Sequence, residues 1–342
     1  MKDFKPNIKG KKILVTGGTG TVGKKLVEKL LANDAEVVRV YSRDEHKQFI
    51  MQEDLLGQGQ DMDHLRFLLG DVRDKERLKR AMENIDIVFH LAALKHVPAC
   101  EYNPSEAVKT NVLGTQNVID CAIEANVEAM VYASTDKAAS PTNTMGASKL
   151  LAERMVASAD QGKGPRRIKF LSVRFGNIMN SRGSVVPLFT KQISRGGPVT
   201  VTDACMTRFF MSVDHAVDLI LNSMAIAQGG ETFVFKMPVL KVGDLAQAII
   251  ELSGKQVTID SIGLRPGEKM YEELMSEEES ARGLEMDDMF VILPYDRDRV
   301  ENQNAYTGAR LADCGIYSSM NVPLMGAEDI KKMLKLNCIE YC

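Results

Sequence analysis

The stretch KILVTGGTGTVGKKLVEKLLAN, residues 12–33, decides the fold of this chain. A short apolar run leads into a cluster of glycines, and leucines and valines then recur at helical spacing. Glycine lets the backbone turn tightly and approach a pyrophosphate, and the helix that follows presents free amide N–H groups. A strand, a glycine turn and a helix in this order predict a dinucleotide site made by Gly17, Thr19, Gly20, Thr21, Val22 and Gly23.

Further apolar runs follow this stretch, and we interpret each of them as a strand: Glu36–Tyr41, Arg66–Leu69, Asp86–Leu91, Ala129–Ala133 and Phe170–Arg174. Helical patterns lie between most of them. Strands that alternate with helices predict a parallel sheet covered by helices on both faces. The sequence therefore predicts an α/β fold in which residues 1–180 form a doubly wound Rossmann domain.

The pattern changes after residue 180. Residues 181–198 are rich in glycine and proline and show few strand signals. The patterns predict strands at Thr232–Lys236, Gln256–Ile259 and Met289–Pro294, and helices at Val242–Leu252, Met270–Ala281 and Glu328–Leu336. We expect residues 181–342 to form a smaller mixed α/β region that binds substrate and shares one cleft with the sheet.

Composition excludes several classes of protein. The chain has 342 residues, of which 44% are hydrophobic, and a net charge of −3. The hydrophobic fraction excludes a disordered chain, and the net charge, which is close to zero, argues against a nucleic-acid partner. No apolar run approaches the ~18–20 residues that cross a bilayer, and the basic start lacks a signal sequence. Six cysteines without a CxxC pair, two of them Cys338 and Cys342, predict reduced thiols in the cytoplasm and no metal site.

The tip of the second strand bears on the choice of dinucleotide. An acidic residue there would hold the ribose 2′-hydroxyl of NAD, but this chain has Ser42 and Arg43. An arginine can contact a 2′-phosphate with two N–H groups and stack on adenine, so NADP is favoured. Asp44 comes one residue late and can still reach the ribose, which leaves NAD as the alternative.

Two later strand ends add candidate contacts. Asp71, followed by Val72, ends the third strand, where its carboxylate can accept from the adenine amino group or cap a loop. His90 in the fourth strand is interpreted as a core histidine. The loop that follows is expected to face the cleft, with small residues that admit a cofactor and then polar residues that also suit a substrate: Ala92, Ala93, Lys95 and His96.

The residues after the fifth strand are the most informative for chemistry. Thr135, Asp136 and Lys137 place a hydroxyl, an acid and an amine side by side at a strand end, where α/β proteins form their sites. Met145 and Lys149 are four residues apart at the start of a helix and so share a face. A lysine there can bond a nicotinamide ribose and supply positive potential.

These motifs resemble the extended short-chain dehydrogenase/reductase family. Within it, YASTDKAASPTNTMGASKLLAE (132–153), VRFGNIMNSRGSVVPLF (173–189), TRFFMSVDHAV (207–217) and LRPGEKMYEEL (264–274) resemble the UDP-N-acetylglucosamine 4,6-dehydratases of the polysaccharide-biosynthesis group. The resemblance spans residues 11–276. Many members have tyrosine where this chain has Met145, so the usual phenolic base is absent. The resemblance is to the short soluble branch without membrane helices, and it implies a homo-oligomer, a dimer or larger.

The resemblance implies an internal redox cycle. Hydride leaves C4 of the sugar for NADP, the C5 proton is removed, water leaves from C6, and hydride returns to C6. Thr135 would bond O4, Asp136 would protonate the leaving hydroxyl if it is itself protonated, and Lys137 would take the C5 proton if its pKa is depressed. Lys149 would bind the nicotinamide ribose, and Met145 would shape the pocket. The 4-keto-6-deoxy product would feed pathways to sugars such as pseudaminic acid, legionaminic acid and N-acetylfucosamine.

The resemblance also implies a set of contacts to the nucleotide sugar. Lysine, arginine and amide side chains suit its diphosphate, and a carboxylate suits the ribose hydroxyls. The substrate-binding candidates are Lys95, His96, Asn177, Val185, Arg208, Arg265 and Glu268.

Other functions remain open at this point. The substrate can be a GDP-linked N-acetylglucosamine, or the chain can be a nucleotide-sugar epimerase or reductase. The acid and base beside Thr135 favour a dehydratase, because dehydration needs both groups. A non-catalytic NADP-binding protein is supported only by Met145, and the retention of Lys137 and Lys149 argues against it.

Overall fold

The computed structural model describes residues 7–265 and 267–337. Its strands are β1 (Lys12–Thr16), β2 (Val37–Ser42), β3 (Leu65–Leu69), β4 (Ile87–His90), β5 (Ala129–Ala133), β6 (Lys169–Arg174), β7 (Asn177–Ile178), β8 (Val199–Val201), β9 (Thr207–Met211), β10 (Thr232–Phe235), β11 (Val239–Lys241), β12 (Ile259–Ser261), β13 (Glu273–Met275), β14 (Gly283–Glu285), β15 (Met289–Ile292), β16 (Arg310–Leu311) and β17 (Tyr317–Ser318).

The α-helices are α1 (Thr21–Ala32), α2 (Glu45–Gly57), α3 (Lys75–Ala81), α4 (Val97–Tyr102), α5 (Pro104–Ala107), α6 (Gly114–Glu124), α7 (Thr144–Gly162), α8 (Val185–Ser194), α9 (Val213–Ile226), α10 (Val242–Ser253), α11 (Glu277–Ser280), α12 (Arg299–Asn302) and α13 (Ala327–Leu336). A π-helical turn spans Val108–Leu113, and 3₁₀ turns span Asp136–Ala138 and Gln303–Ala305. No helix in these ranges is both long and apolar enough to cross a membrane.

The central sheet confirms the predicted doubly wound α/β fold. Its strand order is β16-β14-β15-β10-β6-β5-β4-β1-β2-β3, and β3 through β10 run parallel. The order reverses between β1 and β4, and the crevice at such a point, beyond the carboxyl ends of the strands, is where α/β sheets bind ligands. Separate apolar cores cover the two faces.

The sheet also draws on the second half of the chain. β10 extends it in parallel beside β6, and β15, β14 and β16 then add antiparallel strands at that edge. The division at residue 180 is therefore a change of sequence pattern that the sheet itself crosses. Helices α8, α10 and α13 of the second half surround a third apolar core.

Two sequence-based expectations in that half were wrong. The helix predicted over 270–281 is replaced by β13 and the four-residue α11, because β13 pairs with β17 and buries Leu274 and Met275. Residues 181–198, for which no element was predicted, contain helix α8. The strand predicted at 256–259 starts only at Ile259, where β12 pairs with β8.

A buried ion cluster joins the two halves. Arg174, at the end of β6, is 1% exposed. Its guanidinium donates to Glu153 of α7 at 2.5 Å and to Glu279 of α11 at 2.9 Å, and also to the carbonyl of Leu274 at 2.8 Å. A charge that is buried must be paired and hydrogen-bonded. The cluster therefore fixes α7 and the segment around β13 against the sheet.

We expect Arg174→Ala to lower the free energy of unfolding by about 3–5 kcal/mol, because it leaves two buried carboxylates without a partner. The control is Arg167→Ala, whose side chain is 58% exposed beside Glu128 and should cost under about 1 kcal/mol. Urea unfolding of both variants measures the difference. Equal losses would contradict the structural importance of the cluster.

Candidate active site

The glycine turn after β1 is built for close approach. Gly17 has φ +69°, and a Cβ there would lie 2.7 Å from the backbone nitrogen of Ala92. A Cβ at Gly23 would lie 2.6 Å from the carbonyl oxygen of Gly17. Side chains at these two positions would push the turn away from α1 and from the loop after β4. The predicted glycine set thus lies at the switch point of the sheet, with the N-terminus of α1 directed into the crevice.

The tip of β2 lies beside this turn. Thr19 Oγ1 is 3.1 Å from Ser42 Oγ. Arg43 is exposed and contacts the carboxylate of Asp71 at 3.4 Å. Asp44 instead caps α2, where its carboxylate accepts from the backbone N–H of Lys47 at 3.0 Å and pairs with the ammonium of the same residue.

The two candidate residues that follow β3 have different surroundings. Asp71 forms a closer ion pair with Arg73, at 2.7 Å, and the Arg73 and Arg43 guanidiniums lower the pKa of the Asp71 carboxyl although partial burial raises it. Val72 is 4% exposed and packs in the core, where its Cγ2 would lie 2.8 Å from a Cβ at Gly114. The side chain of Val72 is therefore unavailable to a ligand, and Val72 can contact one only through its backbone.

Two loops meet across the crevice. Lys95 donates to the carbonyl of Arg182 at 3.0 Å, and the backbone N–H of Arg182 donates to Thr21 Oγ1 at 3.2 Å. His96 packs on Gly183, where a Cβ would lie 2.7 Å from its Cε1. Burial lowers the pKa of Lys95, and the Arg182 guanidinium lowers it further. These contacts bring the loop after β4, the start of α1 and the segment before α8 together.

The chemical groups lie after β5. Thr135 Oγ1 donates to Asp136 Oδ1 at 2.7 Å, and Lys137 Nζ donates to the same oxygen at 3.0 Å. Asp136 Oδ2 is buried with no hydrogen-bond partner among residues 7–265 and 267–337. Lys137 Nζ also lies 3.2 Å from Glu272 Oε1. Sequence reasoning missed Glu272, since the motif LRPGEKMYEEL contains four acidic or basic residues after its arginine and nothing in it separates this one.

The surroundings of Lys137 correct one expectation. Burial lowers the pKa of Lys137, but the carboxylates of Asp136 and Glu272 outweigh burial and raise it. The depressed pKa on which the action of Lys137 as a base depends is therefore not present here. Lys137 is an ammonium here, and it must give up a proton before it can act as a base.

Lys149 has the opposite electrostatic environment. It is 6% exposed and donates to the carbonyl of Ala133 at 2.6 Å, and its Nζ lies 4.3 Å from the centre of the Tyr132 ring. Burial lowers the pKa of Lys149 to about 7, although Glu153 acts against this. Met145, one turn earlier on α7, is 3% exposed and packs on Cys100 and Ala107.

A second missed residue supports this part of the site. Asn111 lies in the π-helical turn, a feature often found at functional sites. Its amide accepts from the N–H of Leu94 at 2.8 Å and donates to Ser148 Oγ at 2.9 Å. His90 bonds Thr16 and Thr115, and burial lowers its pKa to about 3, which confirms a neutral core histidine.

The expected substrate contacts are divided by the structure. Arg208 is 9% exposed, and its guanidinium donates to the carbonyls of Thr207 and Lys269 at 2.8 Å each, so these donors hold the chain instead of facing a diphosphate. Arg265 is exposed, and its N–H donates to Glu268 at 3.3 Å. Pro266 between them lies outside the described residues, as do Cys338 and Cys342.

The remaining two candidates lie closer to the sheet. Asn177 is partly exposed in β7, which pairs with β9, and Val185 is the first residue of α8. Both follow β6 in the chain.

The residues of the crevice fit a dinucleotide. The turn has no space for a Cβ at Gly17 or Gly23, and α1 presents the N-terminus that suits a pyrophosphate. Ala92 lies against this turn, so a ligand can reach the backbone on both sides. Lys149 bonds the carbonyl of Ala133 at the end of β5, the strand that pairs with β4.

Comparison with known proteins identifies the family of the chain. A profile of the polysaccharide biosynthesis protein family matches residues 13–294. The chain belongs to this family. The UDP-N-acetylglucosamine 4,6-dehydratase (inverting) of Campylobacter jejuni is 40% identical over 334 residues, which cover 95% of this chain and 97% of that protein. The UDP-glucose 4-epimerase of Rickettsia prowazekii is 39% identical over 329 residues, covering 95% of each.

Solved structures show that the chain has the fold of short-chain dehydrogenases/reductases. Pen from Bacillus thuringiensis is 46% identical, with a TM-score of 0.90 and coverage of 97% of this chain and 98% of that chain. DesIV, a dTDP-glucose 4,6-dehydratase from Streptomyces venezuelae solved with NAD and TYD bound, shares the fold at 24% identity and a TM-score of 0.68, covering 76% and 86%. The resemblance inferred from the motifs is thereby confirmed.

We expect Lys149 to make stability depend on pH. Its pKa of about 7 in the folded chain lies below the unfolded value of about 10.4. Between these values the unfolded chain binds the extra proton, so stability rises with pH. The free energy of unfolding of the wild type relative to Lys149→Met should grow by about 1–3 kcal/mol from pH 7 to pH 9. Urea unfolding at both pH values tests this, and a constant difference would contradict it.

Proposed function

We propose that this protein is a nucleotide-sugar 4,6-dehydratase that converts UDP-N-acetylglucosamine to a UDP-2-acetamido-2,6-dideoxy-4-hexulose. The observation that carries the proposal is the hydrogen-bonded series Thr135, Asp136 and Lys137 at the end of β5, beside the dinucleotide crevice. It supplies a hydroxyl, an acid and an amine within one turn of chain, and this is the set of groups that dehydration requires. The dehydratase relative from Campylobacter jejuni supports the choice of substrate.

The hydrogen bond from Thr135 to Asp136 suggests a route for the O4 proton. When bound, a nicotinamide dinucleotide would accept hydride from C4 and return it to C6. A 4-hydroxyl bonded to Thr135 Oγ1 can pass its proton to that oxygen while Thr135 passes its own proton to Asp136 Oδ1, 2.7 Å away. No phenol is needed, which agrees with a buried, unreactive Met145 at the tyrosine position.

The same route prepares the acid at O6. Asp136 becomes protonated in the step that oxidises C4, and it can then protonate the hydroxyl that leaves C6 as water. Oδ1 is the oxygen that receives this proton and would donate it, and Oδ2 is buried without a hydrogen-bond partner among the described residues. Lys137 takes the C5 proton once its amine is neutral. After hydride returns to C6, the ammonium of Lys137 gives a proton back to C5, so that Asp136 is again a carboxylate and Lys137 is again the neutral amine that took the C5 proton.

We propose NADP as the cofactor, with NAD as the alternative. Asp44, which could otherwise hold the ribose 2′-hydroxyl, is engaged as the cap of α2 and with the ammonium of Lys47. Arg43 is exposed at the tip of β2, and only one carboxylate contact at 3.4 Å restrains it. A guanidinium in this position suits a 2′-phosphate.

For the nucleotide diphosphate, we propose contacts from Lys95 and Arg265 and a ribose contact from Glu268. Lys95 lies where the loop after β4 meets the segment before α8, and Arg265 is exposed. Arg208 is better described as the residue that holds this loop, because its donors are bonded to backbone carbonyls.

An epimerase is the second candidate, because the Rickettsia prowazekii relative is a UDP-glucose 4-epimerase. An epimerase retains the 6-hydroxyl of its substrate. It also requires no base at C5, whereas this chain places Lys137 beside Asp136. Identification of the product therefore distinguishes the two activities.

We expect the purified protein, with no dinucleotide added, to convert UDP-N-acetylglucosamine in D₂O to a 4-keto-6-deoxy product with deuterium at C5, detected by NMR. Lys137→Ala should bind the substrate but lose turnover and C5 exchange, because it removes the base. A product that keeps its 6-hydroxyl would indicate the epimerase, and turnover of only GDP-N-acetylglucosamine would overturn the choice of nucleotide. Chromatography of the dinucleotide released on denaturation identifies NADP or NAD.

We expect Thr135→Val to lower kcat by roughly 10²-fold or more, because it keeps the shape but removes the hydroxyl that links O4 to Asp136. Met145→Leu is the matched control, since Met145 packs on Cys100 and Ala107 and a volume-conserving swap usually costs less than ~1.5 kcal/mol. Steady-state kinetics of both variants decides the matter. An inactive Met145→Leu beside a near-normal Thr135→Val would reverse this assignment of the C4 step.

A further inference from the structure

Glu272 is a buried carboxylate in direct contact with the base of the proposed function. It is 4% exposed and comes just before β13. Its Oε1 lies 3.2 Å from Lys137 Nζ and 3.7 Å from Arg208 Nε. Glu272 comes from the second half of the chain, 135 residues after Lys137. The sequence around Thr135, Asp136 and Lys137 therefore gives no indication of this contact.

The backbone around Glu272 is pinned on both sides. Its N–H donates to Ser319 Oγ at 3.0 Å, and its carbonyl accepts from the N–H of Ser319 at 2.9 Å. The neighbouring Glu273 turns the other way and accepts from the hydroxyl of Ser140. The carbonyl of Ser140 in turn accepts from Lys269 Nζ at 2.5 Å. These bonds hold the Glu272 carboxylate against Lys137.

This contact addresses a difficulty in the proposed chemistry. Lys137 lies between two carboxylates and is an ammonium, whereas removal of the C5 proton requires its neutral amine. We propose that Glu272 accepts the proton of Lys137 when substrate fills the crevice and returns it when the site reopens. This proposal rests on the proposed dehydratase function and adds to it a residue that sets the charge of the base.

The proton count closes over the cycle. One proton moves from Lys137 Nζ to Glu272 Oε1, which leaves an amine and a carboxylic acid. The amine takes the C5 proton and becomes an ammonium, and the electron pair of the C5–H bond passes into the 4-keto system. The ammonium later returns a proton to C5 and is again an amine. Glu272 keeps its proton throughout and gives it back to Lys137 after the product leaves.

The charges around Glu272 suit this exchange. Burial raises the pKa of the Glu272 carboxyl and Asp136 raises it further, whereas Lys137 and Arg208 act to lower it, and the net direction is upward. Facing it are Asp136 and Lys137 from the turn after β5, Arg208 from β9 and the uncharged Ser319 after β17. Substrate that fills the crevice would remove water from the ion pair, which favours its neutral form.

The test is the pH dependence of kcat for dehydration of UDP-N-acetylglucosamine. In the wild type the transfer within the pair neither gains nor loses a proton, so kcat should be flat across neutral pH. In Glu272→Gln the proton of Lys137 must leave to solvent, so kcat should rise about tenfold per pH unit below the pKa of Lys137. A flat profile in the variant, at whatever level of kcat, would overturn the proposal, and so would a rising profile in the wild type.

Two further variants separate this role from a structural one. Glu273→Gln removes the adjacent carboxylate, which bonds Ser140 and not Lys137, and its profile should keep the wild-type shape. Glu272→Asp retains an acid, so its kcat should be lower but flat. A sloping profile in Glu272→Asp or in Glu273→Gln would contradict the assignment to this carboxylate.

The failure of this inference is distinct from failure of the proposed function. A wild type that forms no 4-keto product from UDP-N-acetylglucosamine refutes the dehydratase, and the role of Glu272 is withdrawn with it. A wild type that forms the product, together with a flat Glu272→Gln profile, refutes the role of Glu272 alone.

Discussion

The arrangement of this molecule depends on the guanidinium of Arg174. A cation buried at the end of β6 requires carboxylates, and they come from α7 and α11. Glu153 is one turn after Lys149 on α7, so the same ion pair that anchors the helix also places the lysine of the crevice. Glu279 lies seven residues after Glu272, so its ion pair with Arg174 also helps to fix the segment that carries the Glu272 carboxylate. One buried charge thus aligns two parts of the chain that contribute to the chemistry.

The two lysines of the site show how environment, and not residue type, sets the charge of a side chain. Both are largely buried. Lys137 touches two carboxylates and keeps its proton, whereas Lys149 bonds a carbonyl and lies over a ring, so burial dominates and lowers its pKa to about 7. The proposed base, Lys137, is thus the charged lysine and must lose a proton before it acts, whereas Lys149 has a pKa near neutrality.

A closed redox cycle places a further demand on such a site. The proton removed from O4 must be held until it leaves with the C6 hydroxyl, and the proton removed from C5 must be returned, because no net oxidation or proton release accompanies the reaction we propose. Asp136 would hold the O4 proton that arrives through Thr135, and Lys137 would hold the C5 proton after it gives its own proton to Glu272. Because the O4 proton passes through Thr135, a chain with Met145 in place of a phenol can still suit the reaction.

The sequence by itself determined the doubly wound sheet, the dinucleotide turn and the series Thr135, Asp136 and Lys137. These features are local, because each is encoded by residues that are close in sequence. They are the glycine spacing, the alternation of strands and helices, and adjacent residues at the end of a strand. Only the tertiary structure decided the charge of Lys137, the structural use of Arg208 and the positions of Glu272 and Asn111. Each of these depends on groups brought together from distant parts of the chain. The helix expected over 270–281 failed for the same reason, because pairing with β17 outweighed the local pattern.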